Sequence, residues 1–134
     1  MKVLIIDDEP HFCKYIANEF KSYCGIDAFV LERYTDLDAV LDDSFAAVIL
    51  DVMMPILPNF FSKQEEAAAR GGYHTGFVIF ERIRKKYPKL PIVFFTYFKS
   101  KIFCDEYSII LRKPELGTTI IKQVCSFIDI CSLK

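Results

Sequence analysis

The chain has no block of lysine and arginine and no excess of either charge. Its 17 basic and 18 acidic residues leave a formal net charge of −1. The electrostatic footprint of a nucleic-acid or anionic-membrane binder is therefore missing. No apolar run approaches the roughly 20 residues that cross a bilayer. The N-terminus enters a short apolar segment and then acids, so no signal peptide is expected. The five cysteines (Cys13, Cys24, Cys104, Cys125 and Cys131) are odd in number and contain no CxxC. That argues against a disulfide framework and for reduced, mostly packed thiols in a cytoplasmic protein. His11 and His74 have no partners at ligand spacing, which removes an ordinary zinc site and leaves them solvated or capping roles. No internal repeat, linker or low-complexity stretch divides the 134 residues, so one domain spanning 1–134 is expected. An apolar fraction of 52%, with 13 phenylalanines, is ample for a core without staples.

What is present is organised around Ala47-Val48-Ile49-Leu50-Asp51-Val52-Met53-Met54-Pro55. A short continuous apolar run rich in Val and Ile reads as a strand buried on both faces. Asp51 then stands at its carboxyl end, the edge where open α/β sheets bind ligands. A carboxylate there can hold a metal or attack phosphorus; it can also simply cap a helix or form a turn.

The same pattern recurs along the chain. Val3 to Ile6 is a buried strand ending in Asp7-Asp8-Glu9-Pro10. Pro10 opens a helix that Gly25 stops, with Cys13, Ile16, Ala17, Phe20 and Cys24 as its core stripe. Residues 28–34 read as a second strand. Thr35 reads as the N-cap of a short helix over 36–43, with Leu37, Val40 and Leu41 inward. Ser62 and Glu65 form a capping box before a helix-prone stretch, followed by a flexible Gly71–Gly76 loop. Residues 77–87 read as a helix with Phe80, Ile83 and Tyr87 inward and Arg82, Arg84, Lys85 and Lys86 outside. Leu90 to Thr96 is a fourth strand, 99–105 a short helix, and Tyr107 to Leu111 a fifth strand running into Arg112-Lys113-Pro114. The last helix carries Ile120, Ile121, Val124, Phe127, Ile128 and Cys131. Strands alternating with helices call for a parallel sheet.

In such a sheet Asp7-Asp8-Glu9, Asp51, Thr96 and Lys113 open on one edge. Crowded carboxylates repel and need a cation to stay ionised together. Two or three of them with a carbonyl and water suit Mg²⁺. A lysine and a hydroxyl opposite suit the oxygens of a phosphoryl group, and the set suits phosphoryl transfer onto a carboxylate. Taken singly, each residue has an equally plain structural use.

With these four motifs in order, the chain resembles the receiver domains of two-component response regulators. The resemblance rests on Val3-Leu4-Ile5-Ile6-Asp7-Asp8-Glu9-Pro10, Val48-Ile49-Leu50-Asp51-Val52-Met53-Met54-Pro55, Val93-Phe94-Phe95-Thr96 and Arg112-Lys113-Pro114, across about 2–55 and 76–131. It implies a flavodoxin-like, doubly wound, five-stranded parallel sheet in the order 2-1-3-4-5, with helices on both faces. It implies Asp51 as phosphoacceptor. Asp8, the Met53 backbone carbonyl and Asp51 would hold Mg²⁺ directly, and Asp7 largely through water. Thr96 and Lys113 would bind the phosphoryl group, with a cis bond before Pro114. The donor would be a sensor histidine kinase or phosphotransfer protein, and the output contact with a downstream protein target. Such a chain catalyses its own phosphorylation and dephosphorylation and is not an enzyme in the usual sense.

Several positions depart from the family pattern. A connection over about 56–75 is longer than usual, an insertion that reads either as a lid or docking element over Asp51 or as a mobile loop. Phe60 and Phe61 favour docking, if exposed. Tyr97 replaces a small residue and would narrow access to Asp51. The stretch from Thr96 to Lys113 is short, so its helix would be short or irregular. Ile110 replaces the aromatic three residues before the lysine, leaving Tyr107 or Tyr97 to substitute. The leading reading is a stand-alone receiver, or one from which an output domain has been removed, signalling near its last two helices. The alternative is a phosphorylation-independent interaction module of the same fold. A weaker third is a Mg²⁺-dependent phosphate-ester hydrolase, with Glu9 or His74 as acid.

Overall fold

The computed structural model describes residues 1–115 and 117–134. In chain order the elements are β1 (Lys2–Ile6), α1 (Pro10–Cys24), β2 (Asp27–Leu31), a 3₁₀ turn (Tyr34–Asp36), α2 (Leu37–Val40) and β3 (Phe45–Leu50). There follow α3 (Lys63–Ala69), a second 3₁₀ turn (Arg70–Gly72), α4 (Thr75–Lys86), β4 (Ile92–Thr96), β5 (Ser108–Arg112) and α5 (Gly117–Ser132). The strands form one sheet, ordered β2-β1-β3-β4-β5, and every pair is parallel. The parallel pairing is what the alternating strands and helices predict, and the order is the flavodoxin-like doubly wound one that the resemblance implies.

Alternation along the strands splits the core in two. Leu4, Ile6, Val48, Leu50, Ile92 and Phe94 face Leu37, Phe61, Ile79 and Ile83 on the α2–α4 side. Val3, Ile5, Ala47, Ile49, Val93 and Phe95 face Cys13, Ile16, Phe20, Ile120 and Val124 on the α1–α5 side. Side chains on both faces are buried, so truncating one such as Phe20 costs about 3–5 kcal/mol.

The first helix keeps its expected ends. Pro10 sits in its first turn, and Gly25 (φ +64°) closes it, donating its N–H toward Lys21 and Phe20 carbonyls. Cys24 departs from the expected core stripe: it is exposed, because α1's contact with the sheet ends at Phe20. Cys104 is exposed as well, so the thiols are less packed than expected, with Cys13 and Cys131 buried and Cys125 half-buried.

β2 stops at Leu31, not Tyr34. It pairs only with β1, whose five residues are used up by Asp27 to Leu31. Tyr34 then turns inward, Thr35 lies inside the 3₁₀ turn and caps nothing, and Val40 faces solvent.

Residues 56–75 are folded. The capping box forms as expected: Glu65 N–H donates to Ser62 Oγ at 3.1 Å, and Ser62 N–H donates to Glu65 Oε1 at 2.9 Å. Phe61 is buried, stacked on Tyr34 with ring centroids 5.4 Å apart, and Phe60 packs edge-on to the same ring. The two phenylalanines therefore serve the chain's own core, which removes the argument for an exposed docking pair. Arg82 is turned in, contrary to expectation. Its guanidinium forks onto Glu65 at 2.8 and 3.1 Å, donates to the Phe60 carbonyl at 2.9 Å, and stands 4.0 Å from the Phe60 ring centroid. The expected Gly71–Gly76 loop is replaced by the second 3₁₀ turn and by α4, which already begins at Thr75.

Among the described residues, 97–107 contain no helix, where a short one over 99–105 was expected. Local turn chemistry wins there. Asp105 accepts from the Tyr107 N–H and the Ser108 hydroxyl, and Arg84 forks onto Asp105 while also donating to the carbonyls of Tyr87, Leu90 and Tyr107. Arg84 is thus another arginine drawn inward. No described helix is long and apolar enough to cross a membrane.

Candidate phosphoacceptor site

The strand registers bring the expected residues to one edge. Ile6 pairs with Leu50 and Leu50 with Phe94, so Asp7 and Asp51 leave neighbouring strands side by side. Thr96 pairs with Arg112, which puts Lys113 just beyond Thr96; its N–H donates to the Thr96 carbonyl at 3.1 Å. Lys113–Pro114 is cis, as expected.

Two buried carboxylates share one ammonium. Lys113 Nζ lies 2.8 Å from Asp7 Oδ2 and 3.4 Å from Asp51 Oδ2. The other oxygen of each acid accepts a backbone N–H, Glu9 to Asp7 at 3.0 Å and Val52 to Asp51 at 2.7 Å. Asp8 is exposed, yet one oxygen from each of Asp7, Asp8 and Asp51 lies within 4.8 Å of the others. Three carboxylates against one ammonium leave an excess of negative charge. Burial pushes Asp7 up to about 6; the Asp51 charge adds to this and the Lys113 hydrogen bond opposes it. Burial also raises Asp8, with the charges of Asp51 and Glu9 in the same direction. Burial alone would lower Lys113, but its bond to Asp7 and the charge of Asp51 hold it above the ordinary lysine value.

The donor set fits a hard divalent cation. It offers carboxylate oxygens with one partly open side, and one spare backbone carbonyl. In the loop after Asp51, the carbonyl of Val52 accepts from Gly76, that of Met54 from Thr75 and that of Pro55 from Tyr34. Among the described residues no hydrogen bond reaches the Met53 carbonyl, the one the motif assigns to the metal.

Thr96 is fully buried, and its Oγ1 accepts the Phe98 N–H at 3.1 Å. Phe98 in turn packs edge-on to His74 and Phe77. A groove of about 730 Å³ opens beside it, walled by Phe77, Phe80, Phe94 and Phe98. The groove lies on the α4 side and does not include Asp7, Asp8 or Asp51.

No family model and no curated protein matches the sequence. Solved structures do match. The receiver domain of Francisella response regulator 1452 is 20% identical, with TM-score 0.68, over 96% of this chain and 97% of that one. A response regulator receiver domain protein of Clostridium thermocellum is 20% identical, with TM-score 0.70, over 98% and 97%. One from Methanospirillum hungatei is 12% identical, with TM-score 0.71, over 98% and 96%. The chain folds as a response-regulator receiver domain.

On this receiver fold, the pocket is also built by residues to which the motifs give no chemical role. Phe12, Phe95 and Tyr97 surround the Lys113 ammonium, with ring centroids 4.6, 5.8 and 5.6 Å away, so aromatic faces share its desolvation. Gly76 lets α4 meet the end of β3: a Cβ there would stand 2.1 Å from the Asp51 carbonyl oxygen. Tyr34 Oη donates to the Pro55 carbonyl at 2.7 Å and accepts the Leu57 N–H at 2.5 Å, which holds the loop after Asp51. Only the aromatic cluster had a sequence signal, its place beside strand ends. Tyr107 cannot stand in for the missing aromatic at Ile110. It precedes Ser108 at the amino end of β5, the opposite edge from Thr96. Tyr97 is half-exposed at the rim of the pocket.

Proposed function

We propose that the chain is a phosphorylation switch of two-component signalling, with Asp51 as phosphoacceptor. The observation that carries this is Lys113 standing between Asp7 and Asp51, with Asp8 within reach of both acids. A surface cluster of acids does not require a buried ammonium among them.

In this reading a histidine kinase or phosphotransfer protein brings a phosphohistidine to the acid edge. An Asp51 carboxylate oxygen attacks phosphorus, the P–N bond breaks, and its electron pair leaves on the donor imidazole. Lys113 exchanges its Asp51 oxygen for a phosphoryl oxygen while keeping Asp7. Asp7, Asp8, Asp51 and the Met53 carbonyl would hold Mg²⁺, which when bound offsets the charge of the acids and the phosphoryl group. The Thr96 hydroxyl turns to donate to the phosphoryl group and gives up the Phe98 N–H. Phe98 is packed on His74 and Phe77, so releasing it reshapes 97–103 and the groove beside α4. That surface, on a stretch with no helix, is where a downstream protein would sense the change. It overlaps the surface expected near the last two helices, since 97–103 lies where the first of those two was expected.

The test is incubation with Mg²⁺ and acetyl phosphate, read by intact mass beside Asp51→Asn. One phosphoryl group, absent in the variant and without Mg²⁺, supports the switch. Absence of both an adduct and a beryllofluoride complex sinks it and leaves an interaction module on a receiver fold.

A further inference from the structure

Cys24 and Cys125 stand apart from the other thiols. Cys24 is the last residue of α1 and Cys125 lies midway along α5, 101 residues away, yet their Sγ atoms are 3.4 Å apart. Among the described residues no other pair of cysteines makes such a contact. Cys13 is buried beneath the Asp7 carbonyl, Cys131 is buried in α5's core face, and Cys104 is exposed on the segment after β4. The contact belongs to a close helix pair. Further up the same seam a Cβ on Gly117 would lie 2.9 Å from Tyr15 Oη and 3.0 Å from Glu19 Oε2, so α5 and α1 run side by side at short range.

We propose that Cys24 and Cys125 are a modification site, closing reversibly to a disulfide that ties α1 to α5. A disulfide needs its sulfurs about 2.05 Å apart, so closure from 3.4 Å brings them together by about 1.4 Å. Cys24 is exposed and at a helix end, where its side chain can turn. The oxidant is a low-molecular-weight disulfide. Cys24, the accessible thiol, loses its proton and attacks one sulfur; the reagent's S–S bond breaks, and one thiol leaves with a proton. The Cys125 thiol then attacks the Cys24 sulfur of the mixed disulfide, gives up its proton, and releases the second thiol. Two protein thiols are oxidised and one disulfide reduced to two thiols. The order of attack follows burial: Cys125 is half-covered, and its thiol is pushed up to about 12 by burial and by Cys24, which makes it a poor first nucleophile.

The experiment treats the folded protein with oxidised glutathione, then denatures it and alkylates the remaining thiols. The expected product has lost two hydrogens, takes up three alkyl groups where the reduced protein takes up five, and yields one cross-linked peptide pair containing Cys24 and Cys125. Dithiothreitol restores all five. Cys24→Ser and Cys125→Ser should form no internal link, whereas Cys104→Ser should form it as the wild type does. The oxidised protein should melt several degrees higher, because the bond closes a loop of about 100 residues. Five alkylatable thiols after oxidation, or a link that uses Cys104 or joins two copies of the chain, overturns the proposal.

Discussion

Lys113 Nζ sits 2.8 Å from Asp7 Oδ2, in an ion pair whose side chains are only 3% and 4% exposed. A buried pair of this kind adds little net stability, because desolvation offsets most of the attraction. Breaking it is costly, because an uncompensated charge is left behind. Lys113→Met should therefore destabilise the metal-free protein by about 3–5 kcal/mol at pH 7.5. The loss should shrink at pH 5. Asp7 already has its folded pKa raised from 3.8 to about 6. The native state therefore binds more protons than the unfolded chain between those values, and stability falls as pH rises through that window. Without Lys113 the acid protonates more readily still. Urea denaturation at both pH values checks this, and an equal loss at pH 5 and 7.5 would refute it.

Gly76 joins α4 to the end of the acceptor strand. A Cβ there would lie 2.1 Å from the Asp51 carbonyl oxygen and 2.6 Å from Val52 Cα, both of them backbone atoms that cannot swing away. The Gly76 N–H also donates to the Val52 carbonyl at 2.8 Å, so the approach is held as well as tolerated. Gly76→Ala should force α4 and the Asp51 turn apart, costing about 3 kcal/mol or more. It should also lower phosphoryl uptake far more than an exposed change such as Glu81→Ala. Thermal melts and acetyl phosphate labelling measure the two effects. A variant with wild-type melting would mean that the close approach is not needed.

The sheet and the acid edge were legible because both rest on short-range rules. Val3 to Ile6, Ala47 to Leu50 and Ile92 to Phe95 are continuous apolar runs, which only doubly covered strands require, and each delivers its polar residue at the next position. The misread parts depend on contacts between distant residues. Nothing near Phe60 and Phe61 says that Tyr34 will receive them. Arg82 and Arg84 look like solvated charges until Glu65 and Asp105 are brought to them. The helix expected at 99–105 yields to turn bonds around Asp105 that Arg84 completes from 21 residues away. Gly76 reads in the sequence as loop flexibility, because the atoms it accommodates belong to a strand end 25 positions earlier in the chain.

Arg82 is the clamp on residues 60–69. It holds Glu65 by two hydrogen bonds and Phe60 by its carbonyl and its ring. The Arg82 hydrogen bond lowers Glu65 from 4.5 to about 2. Since the folded pKa is depressed, the stabilisation is complete above about pH 4.5 and is lost as pH falls toward 2. Glu65 is partly solvated, so the contribution is about 1 kcal/mol. Arg82→Met should speed amide exchange across 60–69 at neutral pH while leaving the central strands protected. The wild type should approach the variant's exchange in that segment as the acid is protonated. Equal protection in both proteins at neutral pH would remove the clamp.

Tyr97 follows Thr96 directly and sits half-exposed at the pocket rim, its ring centroid 5.6 Å from Lys113 Nζ. It meets Lys113 from the solvent side, while Phe12 and Phe95 meet it from inside. Two effects on phosphorylation follow from that position. The ring narrows the approach to Asp51 for a donor and for water alike, and its face shares the ammonium's desolvation. Tyr97→Ala should therefore raise both the rate of labelling by acetyl phosphate and the rate of hydrolysis of the aspartyl phosphate. Stability should change little, within about 0.5 kcal/mol, as for other exposed positions. Tyr97→Phe keeps the ring and should behave as the wild type. If Tyr97→Ala leaves both rates where they were, the ring is not a gate. If only hydrolysis quickens, it excludes water without hindering the donor.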